Sequence, residues 1–186
     1  MFTLFIMASF YSKHSYLKYQ QIAVQCRNGF NLRSRSRATG TPSIIMFNIL
    51  IIDPNAPFRK SLKKVLFTKF PWFTIEEAPD AHEGLKKVKT SHPNLVFIEI
   101  HLPMENGLDI AHAIKAVDPD IITVILTSYD SPEYHNVAAE LGIDRVVPKD
   151  DWTGEDMIGL VQTFLSDLGI DGQRNREIDQ SYSHVK

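Results

Sequence analysis

The chain has 186 residues, 44% hydrophobic and 23% charged, values of a globular protein with one ordinary domain plus extra sequence. No apolar run approaches the length of a membrane span. Net charge is -2, but residues 1–46 hold six basic side chains and no acid, leaving 14 of the 20 Lys and Arg against all 22 Asp and Glu. That acidic remainder speaks against nucleic-acid binding by the fold itself.

The first 45 residues start apolar (MFTLFIMASFY) and turn Ser- and Arg-rich (NLRSRSRATGTPS). Targeting peptides share that composition, although the charged start of a secretory signal is missing. Met46 directly precedes the first predicted strand, so 1–45 are read as an over-extended start or a disordered lead. The only cysteine, Cys26, falls in this lead. An internal disulfide is therefore impossible, and a reducing, cytoplasmic compartment is expected. Deleting residues 1–45 should leave the melting temperature unchanged. A drop of many degrees in the truncated protein would show that the lead packs on the fold.

FNILII (47–52) reads as a buried strand ending at Asp53. Asn55 caps the helix that follows, with Pro57 in its first turn, where a missing N–H costs little. Phe58, Leu62, Val65 and Leu66 form its core-facing stripe. A shorter strand spans Phe73 to Ala78. Asp80, with Glu83 three residues on, opens a second helix that buries Ala81, Leu85 and Val88. LVFI (95–98) is a third strand, ending on the carboxylate of Glu99. The turn signals Leu102-Pro103 and Asn106-Gly107 lead into a helix with Leu108, Ala111 and Ile114 on one face. IITVIL (121–126) is a fourth strand, ending at Thr127. Ser131-Pro132-Glu133 starts the next helix and Gly142 stops it. Arg145 to Val147 is a fifth strand leading through Pro148 to Lys149. Thr153 caps a last helix with a stripe of Met157, Leu160, Val161, Phe164, Leu165 and Leu168. From Gly169 onward the sequence is polar and aperiodic, so 170–186 are read as a disordered tail and 46–169 as the folded domain.

Strands alternating with helices predict an α/β fold, a doubly wound parallel sheet. The strand C-termini line one edge of such a sheet, where ligands and chemistry are placed. Asp53, Glu99, Thr127 and Lys149 should converge there. Two acids, a hydroxyl and an ammonium in one crevice suit phosphoryl and divalent-metal chemistry, the acids holding a cation and Thr and Lys holding phosphoryl oxygens. A solvated strand-end Glu is the plainer reading of Glu99 taken alone. His82, His92, His101, His112 and His135 lack metal-site spacing. Trp72 and Trp152 read as edge packing. No Gly-rich loop follows the first strand, which opposes a nucleotide site.

ILIID at the first strand tip, PNLVFIEIHLP with NG at the third, VILTSYD at the fourth and GIDRVVPK at the fifth resemble, in order and spacing, the receiver domain of bacterial response regulators. The resemblance runs from about Phe47 to Gly169. It implies the flavodoxin-like strand order 2-1-3-4-5. It also implies a third-strand Asp that takes a phosphoryl group from a histidine kinase, and an acid pair after the first strand that binds Mg2+. A Thr or Ser and a Lys then read the phosphoryl state. Several positions of this chain depart from that pattern. The acceptor position is Glu99, the acid pair is Asp53-Pro54, and the aromatic switch position is Val146. The Lys-Pro order, which carries the family's cis bond, is inverted to Pro148-Lys149. Thr127 and Lys149 are kept.

An octahedral cation held by one or two carboxylates cannot easily spare one, and phosphoryl transfer tolerates little misplacement of its nucleophile. The chain is therefore expected to be a stand-alone receiver-like signalling module of the two-component class, not an enzyme. It is expected to act by protein contact without phosphorylation and to need no cofactor, any Mg2+ site at Asp53 and Glu99 being weak or absent. Its protein partner, a histidine kinase or an output protein, would meet the face from Pro132 to Leu168, with no nucleic acid and no membrane involved. The alternatives are an active phosphoacceptor or a small metal-dependent phosphatase. Lys149 is expected to point at Glu99 with Thr127 beside them, an arrangement that partly imitates the phosphorylated one or is only a residual ion pair.

Overall fold

The computed structural model describes residues 47–128 and 131–170. The readings of 1–45 as a lead and of 171–186 as a tail lie outside these residues. In chain order the elements are β1 (Phe47–Ile52), α1 (Ala56–Lys69), β2 (Phe73–Ala78), α2 (Ala81–Ser91), β3 (Leu95–Glu99), β4 (His101–Leu102), β5 (Glu105–Asn106), α3 (Gly107–Val117), β6 (Ile122–Thr127), α4 (Pro132–Glu140), β7 (Arg145–Pro148) and α5 (Gly154–Asp167). The main sheet has five strands in the order β2-β1-β3-β6-β7. All its pairings are parallel. Setting aside the small β4-β5 ribbon, this is the order 2-1-3-4-5, a flavodoxin-like α/β fold. No helix among the described residues is long and apolar enough to cross a membrane.

Both faces of the sheet are buried, and the two-residue period of the strands divides their side chains between two cores. Leu50, Ile52, Val96, Ile98 and Ile125 pack under α2, α3 and α4, with Val88, Ile110, Ile114 and Ala138. Phe47, Ile49, Ile51, Leu95, Phe97, Val124 and Leu126 pack under α1 and α5, with Leu62, Leu66, Val161 and Phe164. Phe70 and Phe73 stack at 4.6 Å between centroids, with Trp72 edge-on to both, closing the lower end of the second core. Trp72 and Trp152 pack against that core.

Capping side chains fix the helix starts. The Oδ1 of Asn55 accepts from the Phe58 N–H at 3.1 Å, and that of Asp80 from the Glu83 N–H at 2.8 Å. Thr153 and Asp156 bond reciprocally in a capping box. At the end of α4, Gly142 takes φ +72. There the Ile143 N–H reaches the Ala138 carbonyl, a left-handed stop of the kind glycine accommodates.

Three readings need correction. The stripe of α5 does not continue to Leu168. The helix ends at Asp167, Leu168 is the cap, and its side chain is 51% exposed. The i+4 spacing carries on past the helix end, whereas Gly169 at φ +68 turns the backbone away. Instead Ile170, which had been assigned to the tail, packs on the core with its N–H on the Leu165 carbonyl at 2.8 Å. The β4-β5 ribbon was not foreseen. It pairs His101 with Asn106 and Leu102 with Glu105, and it returns the chain so close to the end of β3 that a Cβ on Gly107 would lie 2.2 Å from the Glu99 carbonyl oxygen. No peptide bond among the described residues is cis.

The ribbon and the first turns of α3 hold one perturbed acid. Burial pushes the Asp109 carboxyl up to about 6, with His112 opposing the rise and Glu105 adding to it. A carboxyl raised in the folded state above its ordinary value of 3.8 lowers stability once ionised. The penalty is absent below pH 3.8, grows between 3.8 and about 6 and is constant above. Asp109→Asn should therefore stabilise the protein at pH 8, by about 1 kcal/mol after solvent screening. The gain should fade as pH falls through that window. Equal gains in melting temperature at pH 4 and pH 8 would show that ionisation is not its source.

Candidate functional site

Register alone brings the strand-end side chains into a row. Ile52 pairs with Ile98, so Asp53 follows beside Glu99. Glu99 pairs with Leu126, which puts Thr127 one step beyond, and Thr127 pairs with Pro148, which puts Lys149 next. The crevice they edge is a cavity of about 370 Å³. Asp53, Pro54, Asn55, Phe58, Glu99 and Lys149 line it, along with His101, Ser128 and Asp150.

Lys149 sits at its centre as a bridge. Its Nζ donates to Asp53 Oδ2 at 2.5 Å and also to Glu99 Oε2. The side chains of Asp53, Glu99 and Lys149 are 1%, 10% and 10% exposed, so this is an ion triad withdrawn from water. The Lys149 backbone N–H donates to the Thr127 carbonyl at 2.8 Å, anchoring the lysine to the tip of β6. Thr127 itself is fully buried, and its neighbour Ser128 lines the cavity.

The other carboxylate oxygens are held by the backbone. Asp53 Oδ1 accepts the Asn55 N–H at 2.8 Å, and Glu99 Oε1 accepts the His101 N–H at 3.0 Å. Each strand-end acid thus accepts the N–H two residues ahead, which for Asp53 is the local turn that Asp and Asn side chains make. Behind them, Arg59 Nη1 donates to the Asp53 carbonyl at 2.5 Å. Arg59 and Lys63 also pair with Glu77 on β2, at 3.4 and 3.2 Å. Below the ammonium, the Phe58 ring lies with its centroid 4.4 Å from Lys149 Nζ, in cation–π range. Two carboxylates against one ammonium leave a formal charge of -1. The two N–H donors and the nearby guanidinium offset it.

The sequence reading placed Asp53, Glu99 and Lys149 together correctly, and Lys149 points at Glu99 as expected. Glu99 is not a solvated strand end. Thr127 is at the expected strand tip, contributing its carbonyl to Lys149. Four contributors were missed. Phe58 was read only as core, Asn55 only as a cap, and the His101 and Arg59 contributions are a backbone N–H and a contact with a backbone oxygen. The His101 side chain is exposed, while His82, His92 and His135 are exposed elsewhere and His112 is half-buried. Among the described residues no three His, Cys, Asp or Glu side chains group as a metal site.

The acid pair that would hold Mg2+ does not fit that ion in this chain. Each Asp53 and Glu99 oxygen already accepts an internal hydrogen bond, one from each acid going to the same ammonium. Pro54, at the second acid position, has neither a ligand side chain nor an N–H. A hard cation that demands oxygen ligands in octahedral array would have to displace Lys149 to enter.

Comparison with known proteins agrees with the fold and its connectivity. The family model for the response regulator receiver domain matches residues 49–162, more than half of the chain. A transcriptional regulatory protein, HptR, of Staphylococcus aureus is 31% identical over 132 residues, covering 69% of this chain and 52% of that protein. An uncharacterized response regulatory protein of Staphylococcus epidermidis is 36% identical over 90 residues, 48% of this chain and 35% of that protein. This chain spans between about a third and a half of the length of the curated relatives it matches. Among solved structures, a CheY-like receiver domain protein of Methanospirillum hungatei superposes with a TM-score of 0.60 at 24% identity, over 71% of this chain and 98% of that one. A two-component response regulator of Clostridium difficile gives 0.61 at 24% identity, over 66% and 98%. At these identities the structural matches speak for the fold alone.

Proposed function

The chain belongs to the receiver-domain family of response regulators, and from that premise we propose that it is a receiver whose phosphoacceptor crevice is closed by its own lysine. It works by protein contact, without accepting a phosphoryl group and without catalysing a reaction. One observation carries this reading: Lys149 bridges Asp53 and Glu99 while the Asn55 and His101 N–H groups hold the remaining carboxylate oxygens. A nucleophile must have a free oxygen aligned with the incoming phosphorus, and a counter-ion must neutralise the phosphoryl charge. Here the nucleophile at Glu99 is one methylene longer than the Asp of the resemblance and is already paired. The cation it meets is the ammonium, not a metal.

In this reading Asp53, Glu99, Thr127 and Lys149 form a structural lock at the sheet edge. The lock holds β1, β3, β6 and β7 in one fixed arrangement. The partner is a protein of two-component signalling, a histidine kinase or an output protein. It meets the surface of α4, β7 and α5, from Pro132 to Leu168, in the cytoplasm. The kept Lys149 and Thr127 and the cavity above Glu99 favour a second reading, an active phosphoacceptor. Incubation with acetyl phosphate and millimolar Mg2+, read by intact mass, separates the two. The lock predicts no added mass and no heat of Mg2+ binding by calorimetry. Labelling of the unmodified chain at Glu99 would overturn it in favour of the second reading.

A further inference from the structure

The chain contains two Asp-Pro peptide bonds, Asp53-Pro54 and Asp118-Pro119. Both aspartates make the same local turn. Asp53 Oδ1 accepts the Asn55 N–H at 2.8 Å, and Asp118 Oδ1 accepts the Asp120 N–H at 3.0 Å. Such a turn folds the carboxylate back over the peptide bond to the proline. The carbonyl groups of the two bonds are held differently. The Asp118 carbonyl accepts the neutral Ile121 N–H at 3.4 Å, whereas the Asp53 carbonyl accepts Arg59 Nη1 at 2.5 Å. The Arg59 side chain is 13% exposed, so its charge acts there with little screening by water. Asp53 is also fixed at its other polar atoms, its N–H on the Ala78 carbonyl at 3.0 Å and its Oδ2 on the Lys149 ammonium. Asp53 is buried, while Pro54, the next residue, is exposed.

We propose that this arrangement makes the Asp53-Pro54 bond self-cleaving. The Asp53 carboxylate attacks its own main-chain carbonyl carbon, closing a five-membered cyclic anhydride. Negative charge that develops on the carbonyl oxygen falls on the Arg59 guanidinium already bonded to it. The bond from that carbon to the Pro54 nitrogen then breaks. The nitrogen takes a proton from solvent, which reaches it because Pro54 is exposed, and leaves as the secondary amine of a new N-terminus. Water opens the anhydride to two carboxyl groups, the Asp53 side chain and a new C-terminus. The sum is hydrolysis of one peptide bond by one water, once per chain and without turnover. Because nucleophile and carbonyl belong to one residue held by its neighbours, little freedom remains to be lost on the way to attack. The cut chain keeps β1 in the sheet through its ladders to β2 and β3, so the two pieces stay together until the protein is unfolded. None of this depends on whether Glu99 takes a phosphoryl group.

Incubation of the full chain in mildly acidic buffer, followed by denaturing electrophoresis and intact mass, tests the inference. The expected products are residues 1–53 and 54–186, together heavier than the parent by one water. The Asp118-Pro119 bond is the control within the same molecule, since it has the same dipeptide and the same turn without the guanidinium. Cleavage after Asp53 should be about a hundredfold faster than after Asp118, the effect of one well-placed donor to a developing oxyanion. In the chain unfolded by urea the two bonds should break at similar rates, because the difference between them belongs to the fold. Arg59→Gln, with an unchanged circular dichroism spectrum as the check on folding, should slow the first cut by a similar factor. An intact parent, equal cutting of both bonds in the folded protein, or a folded Arg59→Gln variant cut as fast as the parent would each overturn the proposal. The comparison of the two bonds requires no variant, so it holds even where Arg59→Gln does not fold.

Discussion

Lys149→Met should destabilise the protein by about 3–5 kcal/mol, the range for removing one partner of a buried ion pair. In a domain of this size that corresponds to a fall of roughly 10–20 °C in melting temperature. The side chains of Asp53 and Glu99 are 1% and 10% exposed, and both depend on the same ammonium. Without it two carboxylates face each other at the ends of adjacent central strands, each with one backbone N–H left. Methionine keeps an apolar side chain of similar length in place of the lysine, so the loss reports mainly the missing ammonium, including its contact with the Phe58 ring. Neutralising the acids should reverse most of the effect. The triple variant Lys149→Met, Asp53→Asn, Glu99→Gln should come within about 1–2 kcal/mol of the parent, because replacing a whole buried ionic group is far less costly than breaking it. Chemical denaturation of the three proteins decides the matter. A single variant as stable as the parent would mean that Lys149 contributes nothing to holding the strand tips.

The site was legible because it is a consequence of register. Strands buried on both faces read as continuous apolar runs, and each run here ends on a residue that does not belong in a core: Asp53, Glu99, Thr127 and, through Pro148, Lys149. A parallel sheet then places those residues side by side whatever lies between them. What could not be read were contributions that are not side-chain chemistry. The N–H groups of Asn55 and His101 reach the acids because the backbone turns there, and Arg59 is recruited by a carbonyl. The β4-β5 ribbon brings Gly107 against the end of β3, a contact between backbones that no periodicity reports. Leu168 misled for the opposite reason. Its spacing from Phe164 and Leu165 is helical, but Gly169 lets the chain turn and sends Ile170 into the core in its place.

Only the double variant Pro54→Asp, Glu99→Asp should take up a phosphoryl group from acetyl phosphate in the presence of Mg2+. The two single changes fail for different reasons, both visible in the crevice. Glu99→Asp draws the carboxylate back by about 1.5 Å, one carbon–carbon bond. It thereby frees an oxygen from Lys149, but leaves Asp53 without the second acid of its pair at Pro54 and still bonded to the ammonium. Pro54→Asp adds a carboxylate at the rim of the cavity, beside Asp53, and so gives a cation a reason to displace Lys149 there. It leaves Glu99 reaching too far and paired. With both changes, the paired acids would hold Mg2+ to offset the phosphoryl charge, Lys149 would be free to meet the incoming phosphoryl oxygens, and the shorter carboxylate would attack phosphorus in line as acetate leaves. Intact mass should then show one added phosphoryl group that is lost on treatment with hydroxylamine, as expected of an acyl phosphate. Pro54→Asp combined with Glu99→Ala should show none. Residues that act as a unit are non-additive in this way, so the single variants should stay within background and not give half the signal each. Labelling of Glu99→Asp alone to the level of the double variant would mean that Pro54 is no obstacle. The methylene of Glu99, and not the missing metal ligand, would then be what keeps this receiver silent.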